Sequence, residues 1–345
     1  MIKFVKNLII YVSVLLLCMA FPLLSGCRTA ARFQPVVRTS FALDTVISVT
    51  VYDEADLPAA DDALALAASY EKIFSRTAED SELYRLNKAM QEAASVVHNF
   101  DALTLSFPVS EELYRILSEC MKYRDASPEG RKAFDCTLGA LSACYNFSGE
   151  THRVPGKDEC RLQLSHSGMD KISLEAPDQL ITSVTSDPAL VLDLGAIAKG
   201  YIADRMKEQM VSAGVKSGII NLGGNVLLIG SRPDGSDFEV GIADPEHPAD
   251  FITTVKLSDA AVVTSGIYQR CFTENGKEYH HILDPETGYP VENDLASVTV
   301  IADNATAADA LSTTLFVLGP ESEKALTERF SLMDVIFIDR SHSIR

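Results

Sequence analysis

Two oxygen-bearing side chains near the end of the sequence have the spacing of a metal site. Asp309 and Thr313 are four residues apart in a segment whose apolar residues recur with a helical period, so both lie on one helix face. A carboxylate and a hydroxyl in this arrangement suit Mg²⁺, which is bound by oxygen atoms that include substrate phosphates. The same residues also suit an acid near a helix N-terminus and a Thr that bonds back to a carbonyl, so the pair needs context.

A second segment, Val191–Asp204, combines features that suit a ligand with phosphates. Val191–Leu194 is predicted as a short strand, the chain breaks at Gly195, and a helix follows whose first turn carries Lys199 and Gly200. Free N–H groups at a helix N-terminus, small residues and a cation then occur together. A tight strand-to-helix turn without a ligand explains the same pattern.

The third chemical feature is a pair of histidines, His280 and His281, just before an Asp-Pro turn. Neighbouring residues of a strand point to opposite faces, so at most one ring faces a pocket. Such a ring is a candidate general base, and a hydrogen-bonded structural histidine is the simpler alternative.

The elements that position these residues alternate between helix and strand. Helices are predicted at Asp56–Phe74, Val109–Arg124 and Tyr201–Ala213 and around Asp309, and strands at Ser40–Tyr52, at Ser297–Ala302 and, as a pair, within Gly218–Gly230. Several strands adjoin without an intervening helix, which disfavours an all-parallel sheet. We therefore predict an α+β fold with mixed or antiparallel sheets and interleaved helices, built as one unit with one or two lobes.

Composition sets outer limits on function. The 345 residues are 47% hydrophobic and 23% charged, which is typical of a globular protein and not of a disordered one. The formal net charge of −18 makes nucleic acid and anionic membrane surfaces poor general partners, although a local cationic pocket remains compatible with it.

The first 26 residues have the layout of a signal peptide. Lys3 and Lys6 precede an apolar run that ends at Leu24-Ser25-Gly26-Cys27, which resembles the lipobox of bacterial lipoproteins. We expect Cys27 to be the lipidated first residue, residues 27–38 to form a linker, and residues 39–345 to form a single catalytic domain. The expected location is outside the cytoplasm, lipid-anchored to a bacterial membrane. An uncleaved anchor helix is the alternative.

Five cysteines follow Cys27, and none of them forms a CxxC pair or accompanies a histidine cluster: Cys120, Cys136, Cys144, Cys160 and Cys271. Zinc and iron–sulfur binding are therefore disfavoured. An exported chain can form disulfides, but the spacing favours free thiols.

An ordered series of motifs resembles the ApbE family, the FAD:protein FMN transferases. The motifs are FSRTAEDSELYRLN, AFDCTLGAL, LDLGAIAKGYIAD, NLGGN, TSGIYQR, HHILDPETGYP and ADALSTTLFVLG, and the resemblance extends from about Thr39 to the end of the chain. Each motif alone is weak, whereas their order is highly specific. A lipoprotein start is also usual in that family.

The resemblance implies an activity: Mg²⁺-dependent transfer of the FMN half of FAD to a threonine hydroxyl of a partner protein, with release of AMP. It implies an FAD cleft, and acceptors in the family include subunits of membrane electron-transfer complexes. By motif position, the metal ligands are Asp309, Thr313 and the carbonyl of Ala196, and His281 is an active-site residue. The FAD contacts implied in the same way are Leu43, Ala133, Phe134, Asp135, Asp193, Lys199 and Leu283.

Three points stay open at the level of sequence. Family members often have Met-Gly-Thr where this chain has Leu43-Asp44-Thr45, so the flavin contact there departs from the pattern. The general base is either His281 or a carboxylate. An FAD-binding or FAD-hydrolysing lipoprotein, with water in place of the threonine, is the nearest alternative, whereas GxGxxG and P-loop motifs are absent.

Overall fold

A computed structural model describes residues 34–96, 105–127, 130–147, 149–175, 180–183 and 190–345. Pro35–Arg345 form one compact unit. The predicted signal peptide and the predicted lipidation site, Cys27, lie outside the described residues. Within those ranges, no helix combines the length and the apolar character needed to cross a membrane.

Helices and strands are interleaved along the chain, and several strands follow one another without an α-helix between them. The helices are α1 (Leu57–Phe74), α2 (Glu82–Val96), α3 (Glu111–Arg124), α4 (Gly139–Tyr145), α5 (Lys157–His166), α6 (Ala198–Ser212), α7 (Ala305–Leu318) and α8 (Glu323–Phe330). The strands are β1 (Val36–Ala42), β2 (Thr45–Val51), β3 (Leu105–Pro108), β4 (Ile172–Glu175), β5 (Leu180–Ser183), β6 (Gly218–Leu222), β7 (Asn225–Ile229), β8 (Phe238–Ala243), β9 (Phe251–Leu257), β10 (Ala261–Gly266), β11 (Cys271–Glu274), β12 (Lys277–His280), β13 (Leu295–Ala302) and β14 (Asp334–Asp339).

The main sheet has seven strands in the order β1-β2-β6-β7-β10-β13-β14, and every neighbouring pair is antiparallel. Smaller antiparallel sheets are formed by β3-β5-β4, β8-β9 and β11-β12. The predicted α+β class with antiparallel strands is confirmed. Two of the neighbouring pairs, β1–β2 and β6–β7, are hairpins with two-residue turns, which only antiparallel neighbours can form.

One end of the main sheet gathers the segments that matter for function. The β1–β2 turn at Leu43-Asp44 and the β6–β7 turn at Gly223-Gly224 lie at this end, because Ile47 pairs with Leu222. The antiparallel pairing of β7 with β10 brings the last residues of β10 there as well. The end of the sheet that carries these turns is called the site end below.

The two faces of the sheet are covered differently. On one face, α1, α6 and α7 pack over buried residues such as Ile47, Val49 and Val298 to form the largest apolar core. On the other face, the β8–β9 hairpin covers Val262 and Ile301. Strand β13 is buried along its whole length, as expected for a strand covered on both faces.

Two sequence predictions fail near the site end. Ser40–Tyr52 is not one strand, because Leu43 (φ 56°) and Asp44 (φ 57°) turn the chain into a hairpin without the glycine that usually marks such a turn. Val191–Leu194 forms only an isolated bridge from Val191 to Leu138. Strand β1 itself begins at Val36, within the segment assigned to the linker.

Candidate active site

The site is organised around the contact between α6 and α7. The backbone N–H of Gly200, in the first turn of α6, donates to Oδ2 of Asp309 at 2.8 Å. A Cβ atom on Gly200 would lie 2.2 Å from the carbonyl oxygen of Ala305 and 2.7 Å from Cβ of Asp309. Glycine is therefore required here so that the two helices can approach closely.

Helix α7 is fixed in register by two caps. Oδ1 of Asn304 accepts the N–H of Ala307 at 2.8 Å, and the carboxylate of Asp204, one turn beyond Gly200 on α6, accepts the N–H groups of Ala305 and Thr306 at 2.8 Å each. Helix N-termini carry unpaired N–H groups and a partial positive charge, so these oxygens stabilise α7. The caps place Asp309 opposite the start of α6.

Thr313 faces the end of β10. Its hydroxyl lies 3.0 Å from Oγ of Ser265, which also lies 2.8 Å from Oγ of Ser312. The back-bonding to a carbonyl that was the alternative for Thr313 is made instead by Thr314, whose hydroxyl donates to the carbonyl of Ala310 at 2.7 Å. Thr313 is half-buried, so its hydroxyl lies on the edge of a small polar group.

Lys199 supplies positive charge at the same junction. Its ammonium donates to Oδ1 of Asn225 at 3.4 Å. Asn225 is the first residue of β7, follows the Gly223-Gly224 turn and is 2% exposed. The NLGGN motif therefore positions an amide that orients Lys199 beside α6.

Asp309 is a carboxylate held away from water. It is 4% exposed, and burial raises its pKa, while the Lys199 charge and the Gly200 N–H act in the opposite direction. A carboxylate in this position is stabilised in its charged form by a bound cation.

The ligand atoms that these residues offer are all oxygens, which suits Mg²⁺. Asp309 and Thr313 lie one turn apart on α7, and Ala196 lies in the turn before α6, two residues ahead of the helix. No cluster of three or more His, Cys, Asp or Glu residues suited to a metal occurs in the described ranges. The expected set has one carboxylate and two neutral oxygens, and Mg²⁺ commonly binds one or two carboxylates and completes its shell with water and substrate phosphates.

Asp193 lies three residues before Ala196 and has different partners. Its Oδ2 accepts from Nε of Arg76 at 2.9 Å, and its Oδ1 accepts from the N–H of Gly195 at 2.9 Å. About a quarter of each charged side chain is exposed. Asp193 is therefore a paired carboxylate that ties the loop after α1 to the turn before α6.

The segment Ala133–Asp135 lies close to Asp193, because the residue that follows the segment, Cys136, is hydrogen-bonded to Asp193. The N–H of Asp193 donates to the carbonyl of Cys136 at 2.8 Å. Asp135 accepts from the N–H and the hydroxyl of Thr137 at 2.8 and 2.5 Å, and burial raises its pKa. Ala133 and Phe134 are buried in the main core.

Leu283 packs in a separate apolar cluster with Leu141 and Tyr145. The Asp-Pro turn that follows it approaches the chain just before Ala133, where Glu286 accepts the N–H of Lys132 at 3.4 Å. Leu43 lies at the site end, packs against the main core and donates its N–H to Oε1 of Glu71 at 2.9 Å. Leu283 therefore packs outside the main core, whereas Leu43 packs against it.

The two adjacent histidines have different hydrogen-bond partners, and only His280 lies in strand β12. His280 is 2% exposed, and its Nε2 lies 3.2 Å from the carbonyl of Val291. Nδ1 of His281 is buried without a hydrogen-bond partner. Burial, together with the charges of Arg270 and Lys199, lowers the pKa of His281 to about 3, so the ring is neutral at physiological pH.

Sequence reasoning missed three residues that organise the site. Arg76 pairs with Asp193 across 117 positions, Asp204 caps α7, and Ser265 contacts Thr313. Each lies inside a quoted motif, but no local spacing links it to its partner.

The five cysteines of the described ranges are free, as the sequence favoured. Cys120, Cys136 and Cys160 are buried, Cys144 is half-buried and Cys271 is exposed.

Comparison with known proteins places the chain in a family. Residues 43–337 match the model of the ApbE family. The chain is 32% identical over 339 residues to the FAD:protein FMN transferase of Treponema pallidum (strain Nichols), covering 93% of this chain and 89% of the relative. It is 34% identical over 277 residues to the enzyme of that name from Klebsiella pneumoniae (strain 342), covering 79% and 83%.

A solved structure agrees with this assignment. The ApbE protein from Thermotoga maritima superposes with a TM-score of 0.77 at 30% identity, covering 90% of this chain and 96% of that one. These relatives are transferases that share the fold, and the chain belongs to the ApbE family.

Proposed function

We propose that this chain is an FAD:protein FMN transferase that uses Mg²⁺ and attaches FMN to a threonine hydroxyl of a partner protein. The names of its relatives support FAD as substrate and a protein as acceptor. The metal and the threonine come from the family resemblance and are proposals for this chain.

The observation that carries the metal proposal is the burial of Asp309 beside the start of α6. The diphosphate of FAD carries negative charge, and the chain has a formal net charge of −18. Bringing the diphosphate next to a buried carboxylate requires a cation between them. Asp309, Thr313 and the carbonyl of Ala196 would hold Mg²⁺, which supplies positive charge to the diphosphate and to the leaving phosphate.

The remaining residues would bind the FAD diphosphate and orient the reacting groups. Lys199, held by Asn225, adds a positive charge in the first turn of α6, where the partial positive charge of a helix N-terminus also favours phosphate. The acceptor oxygen attacks the phosphorus on the FMN side, the bond from that phosphorus to the oxygen bridging to AMP breaks, and AMP leaves with the bond electrons. The threonine proton passes to a base.

His281 is a weak candidate for that base. A pKa of about 3 leaves the ring free to accept a proton, but its basicity is far from the value near the working pH that favours general base catalysis. We propose that the neutral ring orients the acceptor hydroxyl, which leaves the base open to a carboxylate.

The test separates transfer from hydrolysis. The chain is incubated with FAD, Mg²⁺ and a threonine-bearing acceptor domain, and AMP and protein-bound flavin are both quantified. A positioned acceptor oxygen outcompetes loosely held water, so AMP should rise with acceptor and match the attached flavin one for one. Rapid acceptor-independent release of FMN and AMP, without covalent flavin, would instead establish a pyrophosphatase.

We also propose that the enzyme is exported and anchored through a lipid on Cys27, on the basis of the Leu24–Cys27 sequence alone. Cys27→Ser should release the protein from membranes or halt its processing, measured by fractionation and intact mass. Normal processing with unchanged membrane retention would contradict the anchor.

A further inference from the structure

The ion pair between Arg76 and Asp193 is a feature that the activity above does not explain. Nε of Arg76 donates to Oδ2 of Asp193 at 2.9 Å. Nη1 and Nη2 of Arg76 have no hydrogen-bond partner among the described residues, and about a quarter of the side chain is exposed. The guanidinium is thus anchored through one nitrogen and leaves two parallel donors available.

The anchor connects Arg76 to the candidate site from two sides. Oδ1 of Asp193 also accepts the N–H of Gly195, at the start of the turn that leads into α6 and Lys199. The backbone N–H of Asp193 donates to the carbonyl of Cys136, which follows the Ala133–Asp135 segment. Asp193 therefore fixes Arg76 at the point where two of the predicted FAD-binding segments meet.

The chemistry of the free donors indicates their ligand. Two coplanar N–H groups of a guanidinium match the spacing of two phosphate or carboxylate oxygens. A carboxylate that already engages Nε reduces the conformational freedom of the side chain, so less entropy is lost when an anion binds. The pair could also have only a structural role, joining the loop after α1 to the turn before α6. The experiment below distinguishes that role from anion binding.

We infer that Arg76, anchored by Asp193, binds the diphosphate of FAD through its two terminal nitrogens. This inference rests on the proposed function, because it assigns a further residue to the same substrate. Lys199 approaches the site from α6 and Arg76 from the loop after α1, so the two cations would meet the diphosphate from different elements. The pairing also explains why Asp193, itself an anion, lies beside an anionic substrate.

The test measures FAD affinity at several salt concentrations, through the change of flavin fluorescence, in the presence of Mg²⁺. Arg76→Gln should weaken FAD binding about tenfold, which corresponds to about 1.4 kcal/mol. It should also reduce the salt dependence of the dissociation constant, because one cation no longer contacts the ligand. Asp193→Asn should weaken binding and keep the parent's salt dependence, since the arginine is loosened but still charged.

The chain offers a matched control in another arginine–aspartate pair, Arg38 with Asp61 near the start of α1, whose Nε–Oδ1 distance is 3.2 Å. Arg38→Gln removes the same charge from a more exposed pair and should leave both the FAD affinity and its salt dependence at the parent's values. Parent affinity and parent salt dependence in Arg76→Gln would overturn the inference, as would a loss of thermal stability in that variant with unchanged salt dependence. Failure of the parent itself to bind FAD would count against the proposed function instead.

Discussion

Two carboxylates flank the turn that begins α6, and their surroundings differ. Asp309 is 4% exposed and accepts the Gly200 N–H, and its pKa is raised by burial. Asp193 is partly exposed and is already paired with the Arg76 guanidinium at 2.9 Å. The first carboxylate needs a cation and the second has one. The difference separates a residue that can hold a metal from one that positions a side chain.

The buried position of Asp309 depends on the close approach of α6 and α7. We therefore expect the largest loss of stability and activity from Gly200→Ala. The added Cβ would lie 2.2 Å from the carbonyl oxygen of Ala305, which is backbone and cannot rotate away. We expect a loss of about 2–3 kcal/mol in the free energy of unfolding, measured in urea, together with loss of transfer activity. Gly156→Ala is the control, because its Cβ would have no atom within 4 Å. Parent stability in Gly200→Ala would contradict the packing.

Asp309→Asn should change how the stability of the protein depends on pH, which tests the difference between Asp309 and Asp193. Because the pKa of Asp309 is raised in the folded state, its contribution to stability is present below the ordinary carboxyl pKa and is lost as pH rises through the raised value. Without metal, Asp309→Asn should therefore be more stable than the parent at neutral pH, while Mg²⁺-dependent turnover is abolished.

The measurement is thermal unfolding of parent and Asp309→Asn from pH 4 to pH 8 in chelator. Thr313→Val is the companion variant, and it should retain more activity because water can replace a neutral hydroxyl ligand. A neutral-pH stability of Asp309→Asn below that of the parent would show that the carboxylate is already satisfied.

The positions of the main site residues could be predicted from the sequence, whereas the residues that contact them could not. Local spacing predicted Asp309 and Thr313 on one helix face and Lys199 in the first turn of α6, and the structure places them there. The Arg76–Asp193 pair, the Asp204 cap and the Ser265–Thr313 contact join residues far apart in sequence. No helical or strand period encodes such contacts, because they arise only when the elements pack.

The Leu43-Asp44 turn was missed in the sequence for a different reason. Hairpin turns of this length need positive φ at both central residues, which favours Asn or Gly, and the continuous alternation from Ser40 to Tyr52 contained no glycine. The neighbouring Gly223-Gly224 turn, with φ of 59° and 100°, was evident from its glycines. Tertiary support, including the bond from Leu43 N–H to Glu71, stabilises the first turn instead.

A smaller effect is expected from His281→Ala. With a pKa of about 3, the ring stays neutral from pH 5 to pH 8, so it should not produce an inflection near pH 6.5 in the rate of transfer. We expect a slower rate with the same pH profile as the parent and little change in FAD affinity. A parent inflection near pH 6.5 that disappears in His281→Ala would show that the ring titrates there.

The smallest effect concerns the turn beside the site. Asp44→Gly should raise the free energy of unfolding by about 1 kcal/mol, because glycine adopts the left-handed conformation without the steric penalty of a side chain. Asp234→Gly, at an exposed aspartate that also caps a turn through Ser236, is a control in which lost hydrogen bonds should lower stability. Equal or lower stability of Asp44→Gly would mean that the Asp44 side chain itself supports the turn.

The most direct test of the account is a titration of Mg²⁺ into the protein with FAD present, followed by the melting temperature and by flavin fluorescence. Ligands that bind only the folded state stabilise it, by about 2.7 kcal/mol at a concentration one hundred times the dissociation constant. We predict that Mg²⁺ and FAD together stabilise the parent and Arg38→Gln, and that this joint stabilisation is absent in Asp309→Asn. Equal Mg²⁺-dependent stabilisation of Asp309→Asn and the parent would place the cation elsewhere and contradict the assignment.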